Sequence, residues 1–131
     1  MIGIDTNVLL RLFVRDDEDQ VSRAQNAIME AATIAPVMVN PIVLSEFAWT
    51  LSKGFKLPRK MVADHVERVL LADDLNVVFR KSAFQALEAY RTGKADFPDY
   101  FLASINRELG CSTTATFDRD ALDYDAFIAV A

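Results

Sequence analysis

The chain has one cysteine, Cys111, and one histidine, His65, among 131 residues. A single cysteine cannot close an internal disulfide, which fits a reducing compartment and sets the expectation of a cytoplasmic protein. Its thiol is read as a buried structural group. A single histidine removes paired-histidine catalysis within the chain. Together the two counts remove a zinc site rich in thiolate or imidazole. His65 falls in a helical pattern and is read as an ordinary helix residue. Neither a GxGxxG nor a Walker-type phosphate loop is present, which weighs against a nucleotide cofactor. No apolar run is long enough to span a bilayer. Asp5 interrupts the first apolar residues, so no signal-peptide pattern is expected there.

What is present is a globular composition, 52% hydrophobic and 25% charged. Residues 1–131 are expected to form a single domain with a real core. Short apolar runs at 2–5, 36–39, 75–79, 112–116 and 127–130 read as strands. Between them, periodic spacing predicts helices over 7–13, 20–32, 41–52, 58–70, 82–90 and 98–109. Asn40 and Pro41 are a helix start, and Gly54, Gly93 and Gly110 are stops. Strands alternating with helices imply an α/β protein with a parallel sheet covered on both faces.

Five acids stand at informative places: Asp5, Glu46, Asp96, Asp99 and Asp118. Asp5 and Asp118 follow strand-like runs. Glu46 interrupts an apolar helix, and Asp96 and Asp99 flank Phe97-Pro98 at the start of another. Ligand sites in open parallel sheets lie beyond the carboxyl ends of the strands, so these segments can meet at one cleft. Converging carboxylates repel by about 4 kcal/mol per pair at 4 Å and an effective dielectric near 20. A divalent cation is the usual remedy, and oxygen donors alone favour Mg²⁺ or Mn²⁺. The net charge of −5 and pI near 4.8 argue against a general nucleic-acid-coating protein. They leave room for metal-bound acids, because a bound cation reverses the local sign.

Four segments then carry a resemblance: IDTNVLLRL at the start, VLSEFAWTL around Glu46, ADFPDYFLASINRELGC, and TATFDRDAL. The chain resembles the PIN-domain nucleases, and among them the VapC-type toxins of toxin–antitoxin pairs. That resemblance implies a three-layer sandwich with a central, mainly parallel sheet flanked by helices. It also implies a Mg²⁺- or Mn²⁺-dependent endoribonuclease that leaves a 5′-phosphate and a 3′-hydroxyl. Asp5, Glu46, Asp99 and Asp118 match the family acids, and Asp96 matches a frequent neighbour that is either a ligand or a helix cap. Thr6, Asn7 and Thr116 match polar positions that orient the acids. An RNA substrate, a cognate antitoxin protein and a homodimer are the partners so implied. Pro98 and Tyr100 depart from the pattern, standing where small residues are common.

The hypothesis is phosphodiester hydrolysis, with Glu46 either binding metal or orienting the attacking water. The alternative is a catalytically inactive PIN-like module that binds protein or RNA. A phosphorylation receiver is disfavoured, because no second acid precedes Asp5 and no lysine follows Lys94. Arg11, Arg15, Lys53, Arg91, Lys94 and Arg119 are candidate phosphate-attracting cations, though each reads first as a surface charge. The acidic run at 16–19 reads as a solvated loop and helix start. Trp49 shares a helix face with Glu46 and is read as a core or interface residue before a cleft residue.

Overall fold

The computed structural model describes residues 1–14 and 17–130, so Arg15 and Asp16 lie outside the described residues. Ten regular elements follow in order: α1 (Thr6–Phe13), α2 (Glu18–Ala32), β1 (Val37–Val39), α3 (Pro41–Trp49), α4 (Arg59–Leu71), β2 (Leu75–Val77), α5 (Arg80–Thr92), α6 (Phe97–Glu108), β3 (Thr114–Thr116) and β4 (Phe127–Ala129). A π-helical turn, Thr50–Gly54, extends α3, and a 3-10 turn, Arg119–Asp123, separates β3 from β4.

The helix starts follow local chemistry. Asp5, Asp17 and Asn40 each accept a backbone N–H three residues on, at 3.0, 3.1 and 3.0 Å. Such caps contribute about 1 kcal/mol each. Asp17 with Glu18 and Asp19 thus makes the exposed helix start expected of the acidic run. Pro41 follows Asn40 at the first helical position, where its missing N–H costs nothing. Gly110 ends α6 at φ 106°, in the left-handed region that glycine tolerates.

β1 and β2 pair in parallel with Val37 opposite Leu75 and Val39 opposite Val77. The residues before α1 join the other edge of β1, opposite β2. Met38 N–H donates to the Ile2 carbonyl at 2.7 Å and Ile4 N–H to the Met38 carbonyl at 3.2 Å. The expected first strand is therefore a single parallel bridge, Gly3 to Met38. β3 and β4 form a separate parallel pair. The α/β class and parallel pairing hold, whereas the sheet is two short pieces among the described residues rather than one ladder. Three-residue strands offer too few ladder bonds to carry the fold, and the helices supply the core. Phe47, Leu44, Leu51, Val62, Val66, Leu70, Phe97, Tyr100 and Phe101 are fully buried in it.

Because the Gly3 bridge and the β1–β2 pair run the same way, Asp5 and the start of α3 emerge from the same end of the sheet. Helix α3 packs against both α1 and α6. That places the Glu46 helix between the segments that carry Asp5 and Asp99. Cys111 departs from expectation: its thiol is exposed. It follows the Gly110 turn, where the Cys111 N–H closes back on the Asn106 carbonyl at 2.9 Å and the side chain is left outside the core.

Candidate active site

Asp5 is held by its cap bond to Val8, which uses Oδ1. The next residue, Thr6, donates its hydroxyl to Glu46 Oε1 at 3.1 Å. Asp118 is held in a similar way. Its Oδ1 accepts the Asp120 N–H at 3.0 Å, and its own N–H donates to Thr116 Oγ1 at 3.0 Å. Thr116 thus shapes the Asp118 turn, and Thr6 holds one oxygen of Glu46. Each of Asp5, Glu46 and Asp118 has one oxygen fixed. Among the described residues the second oxygen of each carries no hydrogen bond.

Asp99 lies in the first turn of α6 and is half-buried. Burial raises its carboxyl above the ordinary aspartate range, and the negative charges of Asp118 and then Asp96 add to the rise, against a lowering backbone hydrogen bond at Asp96. The Asp118 charge therefore acts on Asp99. Asp96 occupies the cap position of α6, yet its side chain makes no cap bond. It points instead to Lys53 Nζ at 3.7 Å. Lys53 is on the π-helical turn, so the irregular end of α3 is what carries a cation to Asp96.

The acids arrive as two groups. Asp5 and Glu46 are joined through Thr6, and Asp99 is coupled to Asp118 and Asp96. Glu46 and Pro98, the residue before Asp99, line one cavity of about 270 Å³ with Ser45, Trp49 and Thr50. Among the described residues no three acid, histidine or cysteine side chains stand close enough to hold one ion as they lie. Asn7 is elsewhere: it lines a depression between α1 and α2 with Val8, Arg11, Gln20 and Arg23. A depression of about 480 Å³ lined by residues of α5 and α6 with Asp123 and Tyr124 contains none of the four acids.

The donor chemistry fits a hard divalent ion. All donors are carboxylate oxygens, three have an oxygen to spare, and among the described residues no lysine or arginine pairs with Asp5, Glu46, Asp99 or Asp118. Arg91, a candidate phosphate binder, is instead committed to Asp64 at 3.0 Å and Glu67 at 3.1 Å. His65 sits on α4 beside Arg68, outside this region.

Two residues differ from their expected surroundings. Trp49 is 54% exposed and forms a wall of the Glu46 cavity, so it is not a core residue. Its neighbours Phe47 and Ala48 take the buried side of α3. Tyr100 is fully buried and turned away from the cavity. Its hydroxyl meets Asp123 and the N–H groups of Lys94 and Ala95. Sequence reasoning did not single out Asp123 or Ser45, because one acid in an acid-rich tail and one serine in a helix carry no signal of their own.

The framework is an α/β fold of short parallel strand pairs among helices. The chain belongs to the PIN domain family, whose model matches residues 2–127. No curated protein matches the chain. PIN domains are in general nucleases that use divalent metals, which places the chain at the level of a hydrolase. No helix among the described residues is long and apolar enough to cross a membrane.

Proposed function

We propose that the chain is a Mg²⁺- or Mn²⁺-dependent endoribonuclease and the toxin of a type II toxin–antitoxin pair. The observation that carries the catalytic reading is the pattern of half-used carboxylates: among the described residues Asp5, Glu46 and Asp118 each have one oxygen fixed and one without a hydrogen bond, and Asp99 is half-buried with like-charged neighbours. Asp5, Asp99 and Asp118 would hold the metal, with Glu46 as a further ligand and Asp96 at the edge. When bound, the ion supplies an acidified water and charge stabilisation at the phosphate.

The remaining work belongs to side chains. Thr6 keeps Glu46 in one rotamer, so that its free oxygen can accept a proton from the attacking water. Thr116 holds the Asp118 turn. Trp49 and Pro98 wall the open Glu46 cavity. Lys53, half-exposed beside Asp96, and exposed Arg119 supply positive charge for RNA phosphates. The cognate antitoxin, a homodimer and a cytoplasmic setting belong to the same reading and follow from the resemblance. The exposed apolar side chains Ile42, Trp49 and Leu102 on α3 and α6 support an association surface.

The test is RNA cleavage with Mg²⁺ or Mn²⁺, with EDTA, and with Asp99→Asn. Cleavage that stops in both controls supports the reading. Cleavage that survives both ends it. The division of the acids into two groups favours the second reading, a PIN-like binding module without catalysis. RNA retained without cleavage and no metal uptake would select that module.

A further inference from the structure

We propose that Tyr100 and Asp123 are positioning residues that set the placement of Asp118 against Asp99. The proposal rests on the metal-nuclease reading and assigns to that site a support outside the acids themselves.

Tyr100 follows Asp99 directly on α6. Its hydroxyl donates to Asp123, with Oδ1 at 2.9 Å and Oδ2 at 3.1 Å. The same oxygen accepts the N–H groups of Lys94 and Ala95, both at 3.1 Å, and the Lys94 N–H also reaches Asp123 Oδ2 at 3.2 Å. One phenol therefore joins three pieces: the turn before α6, the first part of α6, and the 3-10 turn that runs from the Asp118 cap to Asp123. Asp118 and Asp123 are the two ends of that turn, so fixing one end restrains the other.

Packing makes the link stiff. The Tyr100 ring is fully buried and meets Tyr124 edge-on, with centroids 5.4 Å apart at 81°. The Tyr124 hydroxyl returns to α6 through Ser104 at 2.7 Å. A Cβ on Gly93 would fall 2.0 Å from the Tyr100 hydroxyl oxygen, so the turn closes on the phenol only with glycine there. Like charges on Asp99 and Asp118 repel. The phenol–carboxylate bond opposes that separation. The other side-chain ties from the flanking segments to α6 among the described residues are Tyr124 to Ser104, Asn106 to Thr114 at 2.9 Å and Arg107 to Asp125 at 2.8 Å, and none of them holds the 3-10 turn itself.

The test compares Mn²⁺ affinity, read from the free-ion electron paramagnetic resonance signal, with melting temperature and RNA cleavage. D123A removes the acceptor from an exposed side chain. It is expected to weaken Mn²⁺ binding about tenfold, the scale of a lost outer-shell contact, while the protein stays folded. Asp123→Asn keeps one acceptor oxygen and should bind Mn²⁺ near the wild-type level, and Tyr100→Phe should behave as D123A does. R107A is the control. It cuts the Arg107–Asp125 pair on the neighbouring segment at 2.8 Å and leaves the phenol contacts in place. It should lower stability without changing Mn²⁺ affinity. D123A binding Mn²⁺ as tightly as wild type overturns the proposal, as does an equal loss in R107A. Should Tyr100→Phe fail to fold, the D123A and Asp123→Asn pair decides alone. Wild-type protein that takes up no Mn²⁺ is a different result: it removes the metal reading itself, and the positioning role with it.

Discussion

The Thr6 hydroxyl donates to Glu46 Oε1 at 3.1 Å, joining the first turn of α1 to the middle of α3 across 40 residues of chain. Both groups border solvent, so the bond adds little to folding, about 0.5–1.5 kcal/mol for a typical hydrogen bond. Its value is orientation. Thr6→Val keeps the branched shape and removes the donor. RNA cleavage by Thr6→Val is expected to fall about tenfold or more, with urea midpoints nearly unchanged. Cleavage equal to wild type would show that Glu46 needs no fixed rotamer.

Asp99 carries a folding cost that depends on pH. Burial and the charges of Asp118 and Asp96 raise its pKa above the ordinary 3.8. The native state therefore binds the Asp99 proton more tightly than the unfolded chain does. Below pH 3.8 both states are protonated and no penalty exists. As pH rises from there through the raised native value, stability is lost, and the penalty is complete above it. Asp99→Asn removes the charge, so the variant should melt higher than wild type at pH 7 and converge with it near pH 3. Melts across that range check this. An Asp99→Asn variant less stable than wild type at pH 7 would mean that Asp99 has a cationic partner.

Metal should reverse that penalty. An ion that binds the native acids and not the unfolded chain stabilises by about 2.7 kcal/mol at one hundred times its Kd. Mn²⁺ is therefore expected to raise the wild-type melting temperature by several degrees. Asp99→Asn and Glu46→Gln should show a much smaller rise. Equal rises in all three proteins would place the ion outside this cleft.

The helices were legible in the sequence because their caps and stops are local chemistry. Asn40-Pro41 and Gly110 mark ends that can be read residue by residue, whereas Asp5 was read as the end of a strand and proves to cap α1. The strands were legible in place and not in extent. Residues 2–5 read as a strand yet make one bridge, since ladder length depends on neighbours that a single segment does not reveal. The candidate acids were found from their apolar surroundings and from the family resemblance. Their division into two groups was not, because it depends on how α3 meets α6. Lys53 reaches Asp96 only through the π-helical turn, which a 3.6-residue pattern cannot signal. Cys111 was placed inside on residue type and is exposed; Trp49 was read as core or interface before cleft, and its exposure removes only the core reading.

Trp49 and Phe47 offer a direct contrast on one helix. Phe47 is fully buried and meets Phe13 edge-on, with centroids 6.0 Å apart. Phe47→Ala should cost about 3–5 kcal/mol, the range for a buried aromatic. Trp49→Ala should change stability by less than about 1 kcal/mol, since the ring is mostly in solvent. Urea denaturation followed by circular dichroism reads both. A large loss in Trp49→Ala would mean that the ring is covered in solution, and a concentration-dependent midpoint would identify a second copy as the cover.

Gly93 is the tightest steric point in the region. Its φ of −92° suits any residue, so backbone conformation is not what requires glycine. Space does: an added Cβ would lie 2.0 Å from the Tyr100 hydroxyl oxygen and 2.7 Å from the Ala89 carbonyl oxygen. Both neighbours are anchored, one by its bonds to Asp123, Lys94 and Ala95, the other by α5. Gly93→Ala is expected to destabilise by about 3 kcal/mol, the upper part of the range for overpacking. Adding Tyr100→Phe removes the oxygen that the methyl group strikes. The two changes should then cost less together than the sum of their separate costs, a coupling that a double-mutant cycle measures. Additive costs would mean that the turn before α6 moves away from the phenol when the methyl group is added.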